Sequence, residues 1–166
     1  MSYIVYLDTS VICCLSDSPS ADPIARACQQ LTRQWWATRC VPELTYTSSY
    51  VKEEIKNGDP LLAVTRLDLI TQLQEVAETE WAISKIAFNA ELLIIGGALK
   101  ATAFASAKHI ACAAFHDIDV LATWNCVDIA NPAHIRPLRM LIEGQERTLP
   151  ELVTPFQLME HRYENR

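Results

Sequence analysis

The hydrophobic and polar positions of this chain change period several times along its length. Tyr3-Ile4-Val5-Tyr6-Leu7 is an unbroken apolar run that ends on Asp8. β-Branched and aromatic residues favour a strand. A run without polar alternation fits a parallel strand covered on both faces. Val11 to Leu15 continue apolar, and Ser16-Asp17-Ser18-Pro19-Ser20 is a turn cluster. Asp22-Pro23 has the chemistry of an N-cap and a first helical residue. Ile24, Ala27, Cys28, Leu31 and Trp35 then recur at helical spacing, which predicts a helix over 22–37.

Residues 42–47 read as a second strand, with Ser48 or Ser49 as the next N-cap. A short helix follows over 50–56, stopped by Asn57-Gly58. Val51 and Ile55 mark its buried face, Glu54 lies beside that face, and Glu53 is turned farther away. Asp59-Pro60 opens a helix to about Gln74, with Leu62, Leu69 and Leu73 in phase, and a short strand is expected around Val76. The spacing of Ile83, Ile86, Ala90, Ile94 and Gly97 predicts a long helix with a small-residue face, which lets another helix approach closely. Another helix is expected over 102–116, with Ser106, His109 and Ala113 on one stripe. The clearest late strand is 119–124, with Asn125 at its end. Asn131-Pro132 caps a helix through Ile142, 149–153 reads as an edge strand, and Thr154-Pro155 starts a short terminal helix.

Strands alternating with helices predict an α/β fold, a three-layer α/β/α sandwich with a mostly parallel central sheet, formed as one domain over 1–166. In such sheets ligands and catalytic groups collect at the carboxyl ends of the strands. Asp8 falls there. Alone it reads equally as a loop carboxylate satisfied by backbone N–H groups. Glu53, Glu54 and Lys56 alone read as a solvated face, and His109 as a hydrogen-bonded core histidine.

Composition narrows the function classes. Half the residues are hydrophobic and 20% are charged, as in a folded globular chain. No apolar run is long enough for a membrane span, and Met1-Ser2-Tyr3 carries no basic leader, so a cytoplasmic protein without a membrane partner is expected. The six cysteines show no Cys-x-x-Cys spacing. Reduced, buried thiols are the expectation, without a structural zinc site. The net charge of −6 argues against broad, non-specific nucleic-acid binding, but leaves room for a small acidic site that meets phosphate through metal ions. No Gly-rich loop follows the first strand, which disfavours a P-loop or dinucleotide fold. A haloacid-dehalogenase-like phosphotransferase needs a second Asp where Ser10 stands.

The motifs taken together resemble one family. Tyr6-Leu7-Asp8-Thr9-Ser10-Val11-Ile12 resembles the opening of PIN-domain proteins. Ser48-Ser49-Tyr50-Val51-Lys52-Glu53-Glu54-Ile55, followed by Gly58-Asp59, is similar to that family's second motif. His109-Ile110-Ala111-Cys112-Ala113, then Asp119-Val120-Leu121-Ala122-Thr123-Trp124-Asn125, resemble the third and fourth. The resemblance covers nearly the whole chain in order. It implies a metal-dependent ribonuclease that hydrolyses RNA phosphodiester bonds with Mg²⁺ or Mn²⁺, in many members the toxin of a toxin–antitoxin pair. It further implies a small antitoxin as partner and a homodimer. Asp8, Glu54, Ser106 and Asn125 occupy the four site positions. Asp8, Glu54 and Asn125 would hold the metal, while Thr9 and Ser10 would position phosphate or Asp8.

Here the chain departs from the family, which has Asp at the position of Ser106. Only two of the four positions are charged. Asp128 and Glu53 could contribute from nearby, though neither matches a family position. The lost carboxylate supports an alternative, a catalytically weakened PIN fold kept as a binding or regulatory module.

Overall fold

In the computed structural model, residues 2–163 are described. Five strands form one sheet in the order β3-β2-β1-β4-β5, and every pair is parallel. The strands are β1 (Val5–Leu7), β2 (Thr45–Thr47), β3 (Gln74–Glu75), β4 (Val120–Ala122) and β5 (Glu151–Val153). Among the described residues the α-helices are α1 (Thr9–Ser16), α2 (Pro23–Thr38), α3 (Ser49–Asn57), α4 (Pro60–Ile70), α5 (Glu80–Ile95), α6 (Phe104–Phe115) and α7 (Pro132–Glu143). α1 packs on α2, α3 and α4, while α5 packs on α6 and α7. Together with the strand order this gives the expected three-layer α/β/α sandwich. Among the described residues no helix is long and apolar enough to cross a membrane.

Several local expectations need correction. The apolar stretch after Asp8 is helix α1, with Val11 and Ile12 fully buried. Residues 42–44 form a 3-10 turn because Pro42 has no N–H for the sheet, so β2 starts at Thr45. In α2 the core face is Gln29, Thr32 and Trp35, whereas Ile24 is exposed. α4 stops at Ile70 and buries Arg66, whose Nη2 donates to Asp17 Oδ1 at 2.7 Å. The third strand sits one residue before Val76. The expected terminal helix is a pair of 3-10 turns, Gln157–Met159 and His161–Tyr163. All six cysteines are free, but only Cys112 is buried and Cys126 is exposed.

The close helix approach expected from the small-residue face lies inside the fold. A Cβ on Gly96, at the end of α5, would come within 2.6 Å of the Leu141 side chain on α7. Gly97 has φ of 76°, a left-handed conformation that favours glycine.

The strand order reverses direction once. The chain steps outward from β1 through β2 to β3, then returns to the other side of β1 to make β4. Connections leaving β1 and β4 therefore diverge onto opposite faces of the sheet, opening a crevice at their carboxyl ends. Asp8 follows β1 there, and Thr123 follows β4.

Candidate functional site

Asp8 is the N-cap of α1 and is only 4% exposed. Its Oδ1 accepts from the Ser10 backbone N at 3.1 Å, the Ser10 hydroxyl at 2.5 Å and the Val11 backbone N at 3.4 Å. Its Oδ2 accepts from Thr123 Oγ1 at 2.6 Å. An N-cap carboxylate satisfies helix N–H groups that have no partner within the helix. Burial pushes the Asp8 carboxyl above its ordinary pKa, against the nearby His109 and the hydroxyl donors, which favour the anion.

Glu54 comes from α3, on the other side of β1. Its Oε2 accepts from the Thr9 hydroxyl, and its Oε1 lies 3.0 Å from His109 Nε2. Burial works to raise its pKa, but His109, Thr9 and Lys108 outweigh it, so Glu54 lies below the usual carboxylate range. Its side chain is 34% exposed, so it keeps access to solvent that Asp8 lacks.

Behind Glu54 lies a buried polar chain. His109 Nδ1 is 2.8 Å from the Tyr6 hydroxyl, which is 2.6 Å from Ser48 Oγ. Tyr6, Ser48 and His109 are all in the core. Burial keeps the Tyr6 phenol protonated by raising its pKa well above the ordinary value. The two strand faces explain the geometry. Tyr6 turns its ring toward α6, with ring centroids 5.9 Å from His109.

On the far side, Asn125 Nδ2 donates to Ser106 Oγ at 3.0 Å and to Asp128 Oδ2 at 3.2 Å. Ser106 Oγ donates to the same Asp128 oxygen at 3.3 Å. Asn125 Oδ1 in turn accepts from the Asp128 backbone N at 3.0 Å, closing a turn. Asn125 N donates to Thr123 Oγ1 at 2.8 Å, which connects this group to Asp8.

The four expected positions thus converge on the crevice between β1 and β4. The structure adds Thr123, which no motif singled out, and brings in Asp128 and His109, whose parts the sequence left open. Thr123 bridges Asp8 to Asn125, Asp128 sits against Ser106, and His109 is tied to Glu54. Glu53 is exposed and makes no hydrogen bond or ion pair with a described site residue. Thr9 and Ser10 hold the two carboxylates. Ser10 also accepts from Trp124 N at 2.8 Å, tying α1 to the end of β4.

The donors around the crevice are oxygens, which suits Mg²⁺ or Mn²⁺ better than a softer ion. Among the described residues no three His, Cys, Asp or Glu side chains stand close enough to hold a metal together. Both oxygens of Asp8 and of Glu54 already accept from protein donors. The residues therefore do not fit a dehydrated all-protein cage, and any Mg²⁺ or Mn²⁺ held here would keep most of its waters.

No protein-family model matches the chain, and no curated protein matches it.

Proposed function

We propose that this chain is a PIN-type ribonuclease that hydrolyses RNA phosphodiester bonds with Mg²⁺ or Mn²⁺. The observation that supports this reading best is the convergence of Asp8, Glu54, Ser106 and Asn125 at one sheet edge. Four separate stretches of sequence contribute to a single hydrogen-bonded crevice. Asp8 and Glu54 would hold the ion, directly or through water, with Asn125 and Ser106 orienting its waters. Bound there, such an ion supplies Lewis-acid stabilisation of phosphoryl charge and a water of lowered pKa. The chain's own work is positional. Ser10 and Thr123 fix the Asp8 carboxylate, while Thr9 and His109 fix Glu54 in its ionised form. Rigid placement of this kind contributes to catalysis by removing reorganisation at the moment of reaction. The same reading carries a small antitoxin that silences the enzyme, a homodimer, and a cytoplasmic location.

A second reading is favoured by one observation. The two family-position carboxylates are fully engaged by protein donors, and the third position is the neutral Ser106. On that reading the fold is a binding or regulatory module without strong cleavage.

An RNA cleavage assay with Mn²⁺ or Mg²⁺, comparing wild type with Asp8→Asn, separates the two. Cleavage by wild type that disappears in Asp8→Asn supports the nuclease. Equal cleavage by both would expose a contaminant and sink it. RNA retention without cleavage favours the second reading. Light scattering of the purified chain reads the homodimer directly.

A further inference from the structure

A second polar cavity lies away from the crevice, on the face covered by α5, α6 and α7. It has a volume of about 170 Å³. Trp81, Lys85 and Asn89 line one wall. They are spaced four apart on α5 and so form a single stripe. Phe115, Gln145 and Arg147 line the other. Phe115 lies about six helical rises beyond His109 on α6, so the cavity stands roughly 9 Å along that helix from the His109–Glu54 contact.

Asn89 is the informative residue. It is only 6% exposed, yet its amide makes no hydrogen bond to any described residue. Its polar atoms are absent from the sealed, unpartnered groups, which among the described residues are Thr47 Oγ1 and His116 Nε2. The amide therefore faces the cavity and meets solvent through it. An amide that meets solvent only through a cavity takes its hydrogen bonds there, from ordered water or from a ligand that displaces it.

The surrounding chemistry narrows what would satisfy it. Trp81 is 59% exposed and contacts Phe115 edge-on at 5.2 Å, leaving indole surface open for a planar ring. Aromatic faces of this kind stack nucleobases. An amide offers a donor and an acceptor side by side, the pair that matches the N6 and N7 edge of adenine. Lys85 makes no ion pair with a described residue. Arg147 stacks over Phe115 at 4.9 Å and gives one guanidinium nitrogen to Asp117 at 3.3 Å, leaving its other N–H groups available. Two cations at the mouth of a cavity in a chain of net charge −6 suit a phosphate. The volume falls below the roughly 300 Å³ at which drug-sized pockets begin. It accommodates a base, with sugar and phosphate outside.

We propose that this cavity is a nucleobase site that takes an adenine ring against Asn89 and Trp81 and its phosphate at Lys85 and Arg147. The adenine comes from a free nucleotide or from an RNA strand. The assignment does not rest on the ribonuclease reading.

The test titrates the full chain with AMP, following indole fluorescence and backbone amide shifts, with ribose 5-phosphate as the base-free control. A short adenine-containing RNA is titrated in parallel. AMP should shift the amides of α5 and bind at least about tenfold more tightly than ribose 5-phosphate. Asn89→Leu should weaken it about tenfold or more. Lys85→Glu, at an exposed position that cannot disturb the core, should weaken AMP but leave adenosine unchanged. Asp8→Asn should have no effect, which keeps this result separate from the fate of the crevice. If only the RNA binds, and loses binding in Lys85→Glu and Asn89→Leu, the site stands and its source is RNA. Two results overturn the proposal. One is the absence of any shift around α5 with either ligand at millimolar concentration. The other is binding that Asn89→Leu and Lys85→Glu leave unaltered.

Discussion

The hydroxyl of Ser48 sits 2.6 Å from that of Tyr6 and caps nothing, although Ser48 holds the N-cap position of α3. An N-cap serine ordinarily accepts from an N–H in the first turn of its helix. Here the side chain turns inward and completes the chain that runs through Tyr6 and His109 to Glu54. Helix capping has been given up for a polar core contact that ends on a site carboxylate.

Tyr6→Phe should therefore destabilise the fold by about 1–3 kcal/mol, because it leaves two buried partners unsatisfied. Ser48→Ala should cost about 1 kcal/mol. The double variant should cost less than the sum, since both changes remove one contact. Urea unfolding with an unchanged m-value checks this, and strict additivity would show that the two hydroxyls are not coupled.

The two site carboxylates should tilt stability with pH in opposite directions. Glu54 has a folded pKa below its ordinary value, so its contribution is present above the unfolded pKa and is lost as pH falls through the folded one. Wild type should thus exceed Glu54→Gln in stability at neutral pH, and the difference should close in acid. Asp8 has a raised folded pKa, so the fold takes up its proton more readily than the unfolded chain does. Asp8→Asn, which preserves capping ability, should match or exceed wild type at neutral pH and lose that advantage as pH falls below the ordinary carboxylate range. Thermal unfolding across the pH series reads both signs, and parallel slopes for the two variants would refute the assignment.

Mn²⁺ should bind weakly to the chain without RNA, because the crevice offers few free carboxylate oxygens. On the nuclease reading, Ser106→Asp should tighten Mn²⁺ by about tenfold or more, as expected for an added carboxylate beside the ion. Calorimetry or the spectrum of free Mn²⁺ measures it. An unchanged affinity would mean that Ser106 does not face the ion.

Gly96→Ala should destabilise by about 1–3 kcal/mol through overpacking, since its Cβ would strike Leu141. Gly97→Ala has open space around the new methyl, so its cost of about 1 kcal/mol is conformational. A Leu141→Ala partner change should relieve only part of the first, because the Leu92 carbonyl stands 2.8 Å from the same Cβ, and should leave the second unchanged, as read from unfolding midpoints.

The layers and four strand positions were legible because apolar runs with turn residues at their ends mark buried parallel strands. α1 was not, since Val11 to Leu15 is apolar on every side and carries no period. The buried face of α2 does not follow its apolar spacing, for a related reason. Gln29 and Thr32 are buried by side-chain bonds, Gln29 to the loop at Ser18 and Ser20, and Thr32 to Trp124 Nε1 at 2.7 Å. A pattern of hydrophobicity does not register such contacts. At the site, Asp8, Glu54, Ser106 and Asn125 were legible only through resemblance. The Tyr6–His109 contact joins residues 103 apart in sequence, and local spacing carries no trace of it. The available signal was that polar-tipped side chains stood inside two apolar runs.

The crevice pairs the first strand of the chain with the fourth, and the bond from Thr123 to Asp8 spans 115 residues. Its two halves are therefore synthesised 115 residues apart. A ribosome that stalls before β4 releases a fragment carrying Asp8 and Glu54 but no opposing wall. On the nuclease reading, an RNA-cutting activity would be withheld from the cell until β4 has been made.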